Sequence, residues 1–230
     1  MTRKITLGTI YKSEKEGHVK LITLLLTLNS IFILSISRGI LYAADDNVNN
    51  LLKTGYEKLA QGDFAAAIKY FNKVISIDPK NSHAYVGLAS VSSQKGDFAA
   101  AIESFNKAVL IDPQNSNAYV GLGNASSQKG DPAAAIKYFN KAISIDPKNS
   151  YAYVGLGNAS SQKGDPAAAI KSFNKAISID PKNSQAYVSL YNLYASKKDA
   201  NSMLKKEETL KQLEKINKSL ADKISESKAK

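Results

Sequence analysis

From residue 48 onward, apolar positions recur at a helical spacing, and that spacing itself repeats every 34 residues. In 116–149, SNAYVGLGNASSQKGDPAAAIKYFNKAISIDPKN, the residues Tyr119, Leu122, Gly123 and Ser126 fall at i, i+3, i+4 and i+7. That is one face of a 3.6-residue helix. A second stripe follows, with Ala135, Ile136, Phe139, Ala142 and Ile143 on one side. The residues between the stripes punctuate them. Gly130 suits the left-handed turn that closes a helix. Asp131 offers a carboxylate to the free N–H groups of the next one. Pro132 sits at the first helical position, where its missing N–H costs nothing. Asp146-Pro147 stops the second helix, because proline in a helix interior costs about 3 kcal/mol. The spacing predicts a first helix from about Asn117 to Lys129, capped by Ser116, and a second ending near Ile145.

The same unit is written at 48–81, 82–115, 116–149 and 150–183, with a partial copy at 184–217. The copies 116–149 and 150–183 differ at two positions, Asn117/Tyr151 and Tyr138/Ser172. A lone helix pair of this kind cannot bury its apolar side, so the copies must stack. From Asp199 onward the signature fails, with Met203 in place of Ala and Glu207 in place of Phe. Leu210, Leu213, Ile216, Leu220 and Ile224 keep a helical spacing among Lys and Glu, which predicts a charged capping helix and tail over 197–230. The alternative is a dimerising coiled coil. It has too few heptads, and Lys206 and Asn217 would stand at its seam, so a monomer is expected over a homo-oligomer.

Tyr119, Leu122, Gly123, Gly130, Ala135, Phe139, Ala142 and Pro147, in that order and in four tandem copies, resemble the tetratricopeptide repeat family. The resemblance covers roughly 48–217. It implies an all-α fold, a tetratricopeptide-repeat helical solenoid of antiparallel helix pairs with a 34-residue period, over 45–196. Two departures thin the core: Ser92, Ser126 and Ser160 replace a bulky aromatic, and Pro132 and Pro166 replace the aromatic after Gly-Asp.

The resemblance also implies that a protein or peptide partner lies along the wall built by the first helices. That wall carries His83, Asn117, Tyr151 and Gln185; Val86, Val120, Val154 and Val188; Ser90, Asn124, Asn158 and Asn192; and Gln94, Gln128 and Gln162. The candidate peptide-binding residues are Asn124, Asn158, Asn192, Asn117, Tyr151, Gln128 and Gln162. An amide both donates and accepts, matching an extended peptide backbone whatever its side chains. The competing view is that these asparagines are solvated surface residues. Some family members clamp a chaperone's terminal carboxylates with Lys and Arg beside such an Asn. Here the neighbouring position is Val, so capture of an acidic tail is not expected on this wall.

Composition narrows the chemistry. With no Cys and two His, His18 and His83, disulfides, thiolate nucleophiles and Cys-type zinc sites are excluded, and no metal or other cofactor is expected. Gly121-Leu122-Gly123 resembles the start of a nucleotide fingerprint, but it lies mid-helix and follows no strand. No catalytic motif stands out, and no enzymatic activity is expected. The net charge of +11 is uneven. Residues 1–44 and 197–230 each carry +4, while 45–196 carry +3. After Arg38 the basic residues are all Lys, a poor match to base and phosphate recognition, so nucleic acid is not an expected partner.

Residues 21–37, LITLLLTLNSIFILSIS, are uncharged between Lys20 and Arg38. With the basic segment upstream, 1–44 reads as a signal peptide or a membrane anchor. The two alternatives differ in whether cleavage follows near Ala43 or Ala44, and a start at Val19 would make the signal compact. The expectation is an exported protein, periplasmic or secreted, or one anchored with its repeats outside the cytoplasm. On this basis the function is non-catalytic protein–protein interaction. A cell-envelope scaffold for an assembly machine and a secreted effector acting on host proteins stand as alternatives.

Overall fold

Asparagine and aspartate set the helix starts in alternation. The carboxylates of Asp63, Asp97, Asp131 and Asp165 accept the N–H of Ala66, Ala100, Ala134 and Ala168 at 2.9–3.0 Å. The side chains of Asn81, Asn115, Asn149 and Asn183 do the same for Ala84, Ala118, Ala152 and Ala186. Each such cap contributes about 1 kcal/mol. Between the two kinds of cap, Gly62, Gly96, Gly130 and Gly164 take φ of 75–88°, a left-handed turn that a side chain would strain.

The computed structural model describes residues 47–197 and 199–226. Residues 47–60 are helical (α1). Ten further helices follow: α2 Phe64–Ile77, α3 Ser82–Gln94, α4 Phe98–Ile111, α5 Ser116–Gln128, α6 Pro132–Ile145, α7 Ser150–Gln162, α8 Pro166–Ile179, α9 Ser184–Ala195, α10 Ala200–Ile216 and α11 Lys218–Glu226. Among the described residues there is no strand, and the array is the all-α solenoid of antiparallel helix pairs expected. The chain divides into two contact units, 1–50 and 51–230. The helices from α2 onward belong to the second. The segment read as a signal or anchor, 1–44, lies outside the described residues. Among the described residues, no helix is long and apolar enough to cross a membrane.

The first helices begin one residue earlier than the spacing predicts. Asn115 is the cap of α5 and Ser116 its first residue. The same asparagines also tie neighbouring repeats together. The side-chain amides of Asn115, Asn149 and Asn183 donate to the Oγ of Ser82, Ser116 and Ser150, one repeat earlier, at 3.0–3.4 Å. The serine expected to cap is therefore an acceptor for the next repeat's cap.

The core is built around one phenylalanine per pair. Phe71, Phe139 and Phe173 are at most 1% exposed and Phe105 is 4% exposed. Each ring is pressed by first helices on both sides. A Cβ on Gly123 would meet the Phe139 ring at 2.7 Å, and one on Gly155, in the next repeat, at 2.2 Å. Phe71 stands likewise between Gly55 and Gly87, and Gly121 faces Phe105. Gly121 and Gly123 thus belong to two different Phe sites, which accounts for the Gly-x-Gly spacing without a nucleotide. Within the second unit α3 touches α5, α5 touches α7 and α7 touches α9, whereas α2, α4, α6 and α8 make no such contacts with one another. The stack is tighter on the side of the first helices.

At the far end, α10 packs on α9 and α11 on α10. Leu213 and Ala221 are fully buried with Tyr187, flanked by Leu210, Ile216, Leu220 and Ile224. The apolar spacing read as one helix is divided in two at Asn217, whose side chain accepts the Leu220 N–H at 3.1 Å and starts α11.

Candidate functional site

A groove of about 490 Å³ crosses three consecutive first helices, α5, α7 and α9. The helical register decides what faces it. On α5 these are Asn124, Ser127 and Gln128, at i, i+3 and i+4; on α7 they are Asn158, Ser161 and Gln162; on α9, Asn192, with Ser196 at the helix's C-cap. Gln185, Ser189 and Leu193 extend the α9 wall, and the edges of Phe139 and Phe173 and the backbone of Gly155 form apolar floor between the helices. No ionisable side chain lines this groove.

Five of the seven residues singled out from sequence meet here: Asn124, Asn158, Asn192, Gln128 and Gln162. The other two do not. Asn117 and Tyr151 lie in the first turns of α5 and α7, outside the lining, and Tyr151 is 67% exposed. The valine column also departs from the wall assigned to it. Val154 is 4% exposed inside the core with Phe173 and Leu190, and Val120 packs against the Phe139 cluster. Each first helix has neighbours in its own repeat and in the adjoining ones, so its apolar surface is wider than one stripe.

Sequence reasoning misses the serines, although their i+3 spacing from each Asn is legible. Ser127 Oγ donates to Gln162 Oε1 at 2.6 Å and ties α5 to α7, leaving the Gln162 amide nitrogen free to donate. The amides of Asn124, Asn158 and Asn192 hold no hydrogen bond to the described protein. One repeat earlier the strip changes character, because Ser90 turns its hydroxyl back to the Val86 carbonyl at 2.8 Å. The asparagine column therefore begins at Asn124. Neighbouring helices in contact lie roughly 8–10 Å apart, and about three residues of extended chain at ~3.3 Å each span that distance. Side-chain amides at this repeat can donate to and accept from a peptide main chain at every third residue or so.

These features define a class: a helical-repeat solenoid offering a preformed polar groove on its first helices. The chain belongs to the tetratricopeptide repeat family, whose family model matches residues 58–122 and 126–193. It is similar to the crystal structure of MamA, at 31% identity over 76% of this chain and 96% of that one, with a TM-score of 0.56. It is also similar to TTC0263, a thermophilic TPR protein of Thermus thermophilus, at 21% identity over 79% of this chain and 98% of that one, with a TM-score of 0.65. YrrB, a TPR protein with an unusual peptide-binding site, is 20% identical over 76% of this chain and 90% of that one, with a TM-score of 0.55. The last two likenesses concern the fold alone. No curated protein matches the chain significantly. The family is one of protein-interaction and scaffold modules, and no enzymatic family is indicated.

Proposed function

We propose that this protein is a non-catalytic adaptor that holds an extended peptide of a partner protein along the concave, first-helix side of its repeats. The observation that carries this reading is the row of unpaired amides, Asn124, Asn158 and Asn192, one per repeat in a single uncharged groove. A surface repeated layer by layer suits a feature that the ligand also repeats, and the peptide backbone is that feature. Contact tightness between successive first helices supports the curvature that makes this side concave. The groove is framed by packed helices, so little ordering cost accompanies binding.

The same proposal places the protein outside the cytoplasm or on the membrane. It rests on the uncharged run 21–37 between Lys20 and Arg38. Fractionation with an alkaline wash, together with N-terminal sequencing, tests this part: a soluble cytosolic product beginning at Thr2 rejects it. For the groove, the chain and its Asn124→Ala/Asn158→Ala/Asn192→Ala variant serve as paired baits on native extract. A partner enriched by the first and lost by the second, with helicity unchanged, supports the adaptor reading. Equal capture by both rejects it.

A further inference from the structure

Two adjacent repeats of nearly identical sequence differ on their second helices at one position, Tyr138 against Ser172, and the surface diverges there. Tyr138 of α6 is half-buried against the core formed by Phe105, Ala108 and Leu122, so its ring reaches from α6 toward α4. At the same place in the next repeat, Ser172 of α8 bends its hydroxyl back to the Ala168 carbonyl at 2.9 Å and offers no ring. What remains is a cleft of about 830 Å³ between α6 and α8, floored by Tyr153 and Leu156 of α7 and walled by Ile136. It lies on the second helices, apart from the amide groove.

The rim has a sign. Lys163, Lys171 and Lys175 border the cleft, and its one acidic residue, Asp165, is engaged in capping α8 through the Ala168 N–H at 2.9 Å. None of the three lysines takes part in an ion pair among the described residues. Shape and charge together specify the occupant. A matching frame one repeat earlier already accommodates a tyrosine ring, and the lysines around the open copy complement carboxylates. The geometry points to a second binding site on this protein, a cleft between α6 and α8 that takes an aromatic side chain flanked by acidic residues on a partner peptide.

The test uses the full chain and a fluorescent peptide carrying one tyrosine between two pairs of glutamates. Control peptides replace the tyrosine by alanine or the glutamates by glutamine. Ser172→Tyr fills the cleft as Tyr138 fills its counterpart, so it preserves the fold. It lowers the affinity for the tyrosine peptide by about tenfold or more, the loss expected when a buried ring is excluded. Tyr138→Ser opens a matching cleft between α4 and α6 and adds one bound peptide per chain to the stoichiometry of the unaltered protein. The alanine peptide binds about tenfold more weakly than the tyrosine peptide, and the glutamine peptide loses the salt dependence. The inference is overturned if Ser172→Tyr binds like the unaltered chain, if the alanine peptide binds as well as the tyrosine one, or if the unaltered chain shows no binding at millimolar peptide. Alanines at Asn124, Asn158 and Asn192 leave this binding unchanged, so failure of the cleft and failure of the amide groove are separable.

Discussion

At the scale of single residues, the cap asparagines do two jobs that can be told apart. Asn183 is 5% exposed; its oxygen caps α9 through Ala186 and its nitrogen reaches Ser150. Asn183→Ala loses both and costs about 2 kcal/mol, a cap plus a buried hydrogen bond. Asn183→Asp keeps the acceptor but not the donor and costs about 1 kcal/mol. Urea unfolding of both variants checks the order: equal losses would mean that the cap contributes nothing, and no loss in Asn183→Asp would mean that the inter-repeat bond contributes nothing. A tyrosine gives a pH signature. Burial pushes the Tyr56 hydroxyl up to about 12 while it donates to the His83 carbonyl at 2.9 Å. The folded value lies above the ordinary one near 10, so this contribution is intact below pH ~10 and fades as pH rises toward ~12. Tyr56→Phe is less stable at neutral pH by roughly 0.5–1 kcal/mol and declines less steeply through that alkaline window.

At the scale of elements, much of the fold was legible because turn chemistry and periodicity agree in every copy. Gly130, Asp131 and Pro132 each mark the same boundary, and the structure places α6 there. What could not be read was tertiary. Serine and asparagine are both good N-caps, and the bond that distinguishes Asn115 from Ser116 spans 33 residues to Ser82. Periodicity in one helix gives no sign that a neighbouring repeat covers a second side, which is why the spacing puts Val154 on the wall although it is core. The glycine pairs carry the same lesson and a prediction. Gly155→Ala raises helix propensity by about 1 kcal/mol. Its Cβ would nonetheless stand 2.2 Å from the Phe139 ring, which Gly123 blocks from retreating. Overpacking costs about 1–3 kcal/mol, so a net loss of about 1 kcal/mol is expected. In a Phe139→Leu background the same alanine is neutral or stabilising, a coupling that a double-mutant cycle of thermal unfolding measures. Additive effects would contradict the packing described.

At the scale of the whole molecule, charge and groove are kept apart. The chain carries +11, yet the groove across α5, α7 and α9 has no ionisable lining, while the α6–α8 cleft is bordered by lysines. Five of the candidate site residues could be chosen from sequence because they share a face at fixed spacing. Asn117 and Tyr151 share the column logic but sit in the first turns of α5 and α7, where the groove does not reach, although Gln185 of the same column lines it on α9. Binding in the groove should therefore be nearly independent of ionic strength, unlike most encounters of a basic protein. The measurement that bears most directly on this account is isothermal titration of the captured partner's peptide into the chain and into its Asn124→Ala/Asn158→Ala/Asn192→Ala variant, at low and high salt. With each neutral hydrogen bond worth about 0.5–1.5 kcal/mol, roughly a tenfold or greater loss of affinity is expected in the variant, with little change with salt. An unchanged affinity in a fully helical variant, or binding that collapses at high salt, would contradict it.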